Sequence, residues 1–313
     1  MRTLWSDKSN TIFRTLLTLA FIVLGVYYVW TRREEFADLE WPSLSAIAIV
    51  STAFVANICI ISIFNALVSK RLGANISVLE SFALSIVTSA ANFVLPLRAG
   101  TGFRGMYMKK VYGLSYGNFA STLVVFYVCN VFIASLLGTA AVAVIYLQRG
   151  YFALDLFLSF PLIFLGSAAF VLLQRGKSTG SQEDMPWWRQ LWTGYKSIFG
   201  EKAIIFSALS LILLSFSIST IAWHFALREY IPEITAPDSF LIVTSQVLGG
   251  LVPLTAGGVG IQELAGIYIG HRLDMTIVNL FAVLVWTKIL RIMISVTASA
   301  PAAIYLRQRA RAT

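Results

Sequence analysis

Charged and strongly polar side chains stand in apolar surroundings at Arg98, Arg104, Gln262, Glu263, Lys288 and Arg291. Ionisable groups inside such stretches are costly, and they default to a functional reading. Arg98 and Arg104 flank a turn that contains Gly100 and Gly102. Arginine pairs bidentately with phosphate, so this pair suits a clamp on a phosphate head group. The plainer reading is two loop cations that touch lipid at the membrane surface. Lys288 and Arg291 lie one helical turn apart within an apolar run. Glu263 can neutralise either one as a structural lock. A lock and a binding role are compatible if the pair opens during a cycle. No catalytic group and no cofactor is assigned. Cys59, Cys129, His224 and His271 give neither a disulfide framework nor metal-ligand spacing.

The elements that carry these residues occur twice. The stretch Asn92-Phe93-Val94-Leu95-Pro96-Leu97-Arg98-Ala99-Gly100-Thr101-Gly102-Phe103-Arg104 returns as Leu251-Val252-Pro253-Leu254-Thr255-Ala256-Gly257-Gly258-Val259-Gly260-Ile261-Gln262-Glu263, with Pro-Leu-x-Ala-Gly shared at a distance of about half the chain. The flanks repeat in the same order. Glu80-Ser81-Phe82 corresponds to Asp238-Ser239-Phe240, Ile86-Val87-Thr88-Ser89 to Ile242-Val243-Thr244-Ser245, and Gly113 to Gly270. A doubled chain follows, with repeat one over residues 1–150 and repeat two over residues 151–313. In membrane transporters, paired hydrophobic segments broken by Gly and Pro point to the substrate site.

Composition fixes the solvent. The chain is 58% hydrophobic and 12% charged, with mean hydropathy +0.77. That excludes a water-soluble domain and indicates a polytopic membrane protein. A net charge of +9 would suggest nucleic acid in a soluble protein. Here the cations sit in short loops between apolar runs, which suits anionic lipid instead.

Spans are expected over about residues 11–30, 43–68, 118–147, 151–173, 203–227 and 275–306, since about 20 apolar residues cross the hydrocarbon. The first has no small-residue cleavage site after it and is expected to be retained. Residues 79–95 and 102–112 are short helices on either side of Pro96, and residues 239–270 form the second broken segment. Broken backbone at membrane depth must be covered by protein or line a cavity. The fold expected is all-α: two inverted repeats, each with about three spans plus a broken re-entrant hairpin. Residues 188–199 place Trp188, Leu191, Trp192, Tyr195 and Phe199 at helical spacing. They read either as an interfacial amphipathic helix or as a loop helix packed on the protein.

Cationic loops set the orientation. With the N-terminus inside, only Arg32, Arg33, Arg149, Arg228 and Arg272 of the 24 Lys and Arg residues fall outside, and Lys288 and Arg291 lie within the last span. Both termini are therefore expected to be cytoplasmic. If the hairpin helices crossed fully, giving eight spans, Arg98, Arg104, Lys109 and Lys110 would be harder to keep inside.

Other motifs carry less. Gly100-Thr101-Gly102-Phe103-Arg104-Gly105 fits G-x-G-x-x-G, but the preceding strand and the acidic residue of a dinucleotide site are missing. These glycines suit a turn and close helix packing. His224, Asn130 and Tyr127 lie in spans and read as interhelical hydrogen-bonding groups. Asp38-Leu39-Glu40, in an acidic outer loop, has the spacing of the acidic pair of some polytopic glycosyltransferases, though the loop is short.

The two broken segments resemble the flippase-type transmembrane domain of the lysylphosphatidylglycerol synthase family. Asn92, Pro96, Arg98, Gly100 and Arg104 match its first motif, and Thr101 stands where that family usually has Glu. Phe126, Tyr127 and Asn130 stand where it often has Glu, Arg and Asp. Pro253, Gly257, Gly258, Gly260 and Glu263 match the second motif, with Gln262 in place of Arg. The resemblance covers essentially the whole chain. It implies lipid translocation between leaflets, with the broken helices facing a central cavity and Asn92 among the substrate-binding residues. The chain stops at Thr313, so the soluble aminoacyl-transferase domain of larger members is not expected, nor is aminoacyl-lipid synthesis.

The expectation is a flippase of a bacterial inner (cytoplasmic) membrane that moves a phospholipid derivative or a polyprenyl-phosphate-linked sugar. Arg98 would receive the head group, and Lys288 with Arg291 would hold it at mid-depth. Membrane lipid is the expected partner. A separate lipid-modifying enzyme and a second copy of the chain are compatible partners. The competing classes are a polytopic glycosyltransferase and a scaffold without transport.

Overall fold

The computed structural model describes residues 2–95, 99–150, 153–173, 185–251 and 260–312. Among these the chain is helical throughout: α1 (Arg2–Thr31), α2 (Arg33–Ala37), α3 (Leu44–Arg71), α4 (Val78–Val94), α5 (Ala99–Tyr112), α6 (Tyr116–Arg149), α7 (Leu154–Leu173), α8 (Trp187–Phe199), α9 (Lys202–Arg228), α10 (Ala236–Gly250), α11 (Ile261–Arg272) and α12 (Ile277–Ala312). Four of these are long and apolar enough to cross a membrane: α3, α6, α9 and α12. The outer helices α1 and α7 contribute shorter apolar stretches, Leu16–Thr31 and Leu154–Phe170. Large apolar side chains such as Leu24, Phe206, Leu214 and Met293 are exposed, as suits helices whose solvent is lipid.

Local sequence sets the ends. Ser43, Ser77 and Ser115 are N-caps whose side chains accept from Ala46, Glu80 and Asn118 backbone N–H groups, which satisfies donors a helix start leaves open. The long helix α6 stops at Gly150, which is left-handed at φ 64. The short helix α4 ends at Leu95, which is extended at φ −101 and ψ 143. A residue before proline is pushed out of the helical region, so Pro96 acts through its neighbour.

The broken segments are short. At about 1.5 Å per residue, the 17 residues of α4 reach about 25 Å. The 15 of α10 reach about 22 Å. Both fall below the roughly 30 Å hydrocarbon core. Each arm is thus too short to cross alone, in keeping with a hairpin that enters and returns. Pro96, Leu97 and Arg98 at the first tip, and residues 252–259 at the second, lie outside the described residues.

Packing interleaves the chain. α3 lies along α9, α4 packs on α12, and α10 packs on α6. Lipid supplies no hydrophobic drive between helices, so close backbones and polar bonds carry the association. Asn57 of α3 donates to Ser219 Oγ of α9 at 3.1 Å and accepts from Ser215 Oγ. Ser81 of α4 donates to Ser62 O of α3 at 2.8 Å.

Two buried carboxylates clamp the cross-packed helices. Asp238, near the start of α10, is 1% exposed and lies 2.8 Å from Arg149 at the end of α6. Glu80, near the start of α4, is fully buried. It takes bonds from Tyr107 and Tyr112 at 2.7 Å and lies 3.5 Å from Arg309 near the end of α12. The sequence correspondence of Glu80 with Asp238 therefore extends to their cationic partners. α8 packs on the protein, as the second of its two sequence readings has it. Tyr195 and Ile198 are buried, and Ser121 of α6 donates to Leu191 O at 2.8 Å. Trp187 and Trp188 are exposed.

Candidate functional site

A cavity of about 410 Å³ lies where α3, α4, α5, α6, α9, α10, α11 and α12 meet. Its volume falls within the range of small-molecule sites, roughly 300–1,000 Å³. One wall is a stripe along α4, Ser85, Thr88, Ser89 and Asn92, whose spacing puts all four on one helical face. Asn57, Ile61 and Asn65 form the matching stripe on α3. Phe126, Tyr127 and Trp223 supply aromatic surface.

The first turns of both second hairpin arms reach this cavity, through Thr101 of α5 and Gln262 of α11. Asn92 joins the first hairpin across its break. Its Oδ1 accepts from Thr101 N at 3.2 Å and its Nδ2 lies 3.4 Å from Thr101 Oγ1. The side chain thus caps α5 as well as lining the cavity. Gly100 permits that approach, because a Cβ there would lie 2.2 Å from Thr88 O. In the second hairpin, Gly260 has φ 89, and its N–H donates to Glu263 Oε2 at 2.7 Å. A Cβ on Gly260 would also sit 2.2 Å from the Phe21 ring.

Arg104 and Arg291 both line the cavity. Arg104 is 9% exposed, and no protein group accepts from its Nε. Its guanidinium carbon lies 5.9 Å from the Phe119 ring centre. Arg291 sits 5.5 Å from the Trp223 ring centre. Among the described residues, neither arginine has a carboxylate partner. Arg104 is buried and Arg291 half-buried, and a cation held away from water is normally paired.

Lys288 is used differently. Its Nζ lies 3.0 Å from Glu263 Oε1 and 3.2 Å from Gln262 Oε1. Of the two pairings open in the sequence, the structure holds Glu263 with Lys288, and it leaves Arg291 to the cavity. Arg98 lies outside the described residues. His224 is interhelical, 3.0 Å from Ser239 Oγ. Asn130 instead donates within its own helix to Phe126 O at 2.8 Å, and both Asn130 and Tyr127 face the cavity. Asn57, Asn65 and Trp223 were not singled out by sequence. The signal for the first two was two asparagines eight apart in an apolar run, which places them on one face.

The fold and site define a polytopic, all-helical membrane protein whose broken hairpins meet at a polar, cationic cavity. The family model described as "Lysylphosphatidylglycerol synthase TM region" matches residues 12–290. The chain belongs to that family. The matched region takes in both hairpins and ends one residue before Arg291. No curated protein matches the chain.

Proposed function

We propose that the protein is a lipid translocator, not an enzyme. A phosphate-bearing head group passes through the central cavity while the acyl or prenyl tail stays in lipid. The observation that carries this reading is the pair of unpaired guanidiniums, Arg104 from the first half and Arg291 from the second, at one polar cavity. The positive ends of α5 and α11 add to their field, since a helix N-terminus carries about half a positive charge. The halves are inverted repeats, residues 1–150 and 151–313, set in a bacterial cytoplasmic membrane with both termini inside. Opening one hairpin at a time would expose the cavity to each leaflet in turn. Lys288 and Glu263 lock the second hairpin to α12, and Asn92 fastens the first. Asp38 and Glu40 are exposed, fall outside in this orientation, and take no part.

Translocation of a fluorescent phospholipid in vesicles carrying the purified protein tests the proposal. Removing one cation from a desolvated phosphate contact costs about 2–5 kcal/mol, or roughly 30-fold or more. Arg104→Ala and Arg291→Ala should each slow translocation by that factor, and Asp38→Ala should not. Wild-type rates in both arginine variants would refute it.

A further inference from the structure

The buried hydrogen-bonding groups left unmet at the cavity are one-sided. Three of the lining carboxamide oxygens are taken: Asn57 Oδ1 accepts from Ser215, Asn92 Oδ1 from Thr101 N, and Gln262 Oε1 from Lys288. Two buried polar atoms of the described lining residues have no protein partner, Arg104 Nε and Asn65 Nδ2, and both are donors. Asn65 is 5% exposed. Arg291 adds a guanidinium without an ion-pair partner among the described residues.

Acceptors with charge are missing from the same surface. No Asp or Glu lines the cavity among the described residues. Neither hairpin tip carries one in sequence, since residues 96–98 read Pro-Leu-Arg and 252–259 read Val-Pro-Leu-Thr-Ala-Gly-Gly-Val. The nearest carboxylate in the second hairpin, Glu263, is spent on Lys288 and Gly260 N. An ammonium group brings three donors and no acceptor, so it would meet like charge and surplus donors. A phosphate joined to a neutral, hydroxyl-rich group brings acceptors in excess and suits the aromatic faces of Trp223 and Tyr127.

We infer that the cavity selects an anionic phosphate lipid with an uncharged, polyhydroxylated head group and discriminates against aminoacylated, cationic head groups. This rests on the cavity being the head-group site. Two lipid sources share the chemistry, a glycerol-headed phospholipid and a glycosyl phosphoprenol.

The test is competition binding to the full chain in detergent, read by native mass spectrometry. The probes are short-chain phosphatidylglycerol, short-chain lysylphosphatidylglycerol and a farnesyl phosphoglucose. Wild type should bind at least one of the two hydroxylated lipids at least tenfold more tightly than the lysyl form, and the better of the two identifies the source. Thr101→Glu and Asn130→Asp, which bring carboxylates to the cavity, should each narrow that gap severalfold. Arg291→Ala should weaken every bound lipid, and Arg291→Lys should restore part of the loss. If wild type binds the lysyl lipid as tightly as the others while Arg291→Ala weakens all three, the head-group site stands and the selectivity inference is overturned. If Arg291→Ala changes none of the three affinities, the site itself is wrong and the inference falls with it.

Discussion

Arg149→Ala should destabilise the protein more than its position at a helix end suggests. Asp238 is 1% exposed and Arg149 is 39% exposed. The carboxylate takes two bonds from the guanidinium, at 2.8 and 3.2 Å, and two from Thr235, at 3.0 Å from its N and 2.6 Å from its Oγ1. Removing one partner of a buried pair typically costs about 3–5 kcal/mol, because a charge is stranded. Arg149 is partly solvated and Thr235 keeps its two bonds, so the cost here is nearer 2–3 kcal/mol. Adding Asp238→Asn removes the stranded charge, and the double variant should recover about 1 kcal/mol relative to Arg149→Ala. A double-mutant cycle on detergent-denaturant unfolding midpoints of the purified protein measures this coupling. If the two single-variant losses simply add, α6 and α10 are not clamped through this pair, and the cross-half latch has no energetic meaning.

The second hairpin gives a further set of outcomes. Gly260→Ala should destabilise by about 2–4 kcal/mol, from left-handed backbone and overpacking against Phe21. Phe21→Ala in the same chain should return the packing part, read by the same unfolding midpoint. Lys288→Met should lower stability by about 2 kcal/mol or more by stranding Glu263. Translocation per folded molecule should fall far less than in Arg291→Ala. A cysteine at Glu35 should react with an impermeant reagent applied outside intact cells, and one at Arg189 should not. The reverse labelling pattern would invert the assignment of both hairpins to their leaflets.

The helices were legible because hydrophobicity at membrane scale is nearly binary. Expected helices at residues 79–95 and 102–112 became Val78–Val94 and Ala99–Tyr112, with Pro96 and the glycines marking the break. The small element Arg33–Ala37 escaped notice, since five residues, three of them charged, carry no span signal. Arg104 and Arg291 were found as charges in apolar runs. Their separation from Lys288 was not legible, because i and i+3 on one helix point close enough for Glu263 to reach either. Only the backbone of α11, fixed at Gly260, decides that Lys288 is the partner. The α4 stripe was visible as polar residues but not as a wall, since Ser85, Thr88 and Ser89 also suit ordinary interhelical bonding. The cationic ends Arg149 and Arg309 read as loop charge, because their partners lie across the other half of the chain.

The lipid retained by the purified protein after extensive delipidation bears most directly on the claim that Arg104 and Arg291 hold a lipid head group in the central cavity. Mass spectrometry of wild type should find a phosphate-bearing lipid near one per chain, and the Arg104→Ala/Arg291→Ala double variant should retain at most about a tenth of it. Equal retention of that lipid by the double variant, or no phosphate lipid on wild type, would contradict the account.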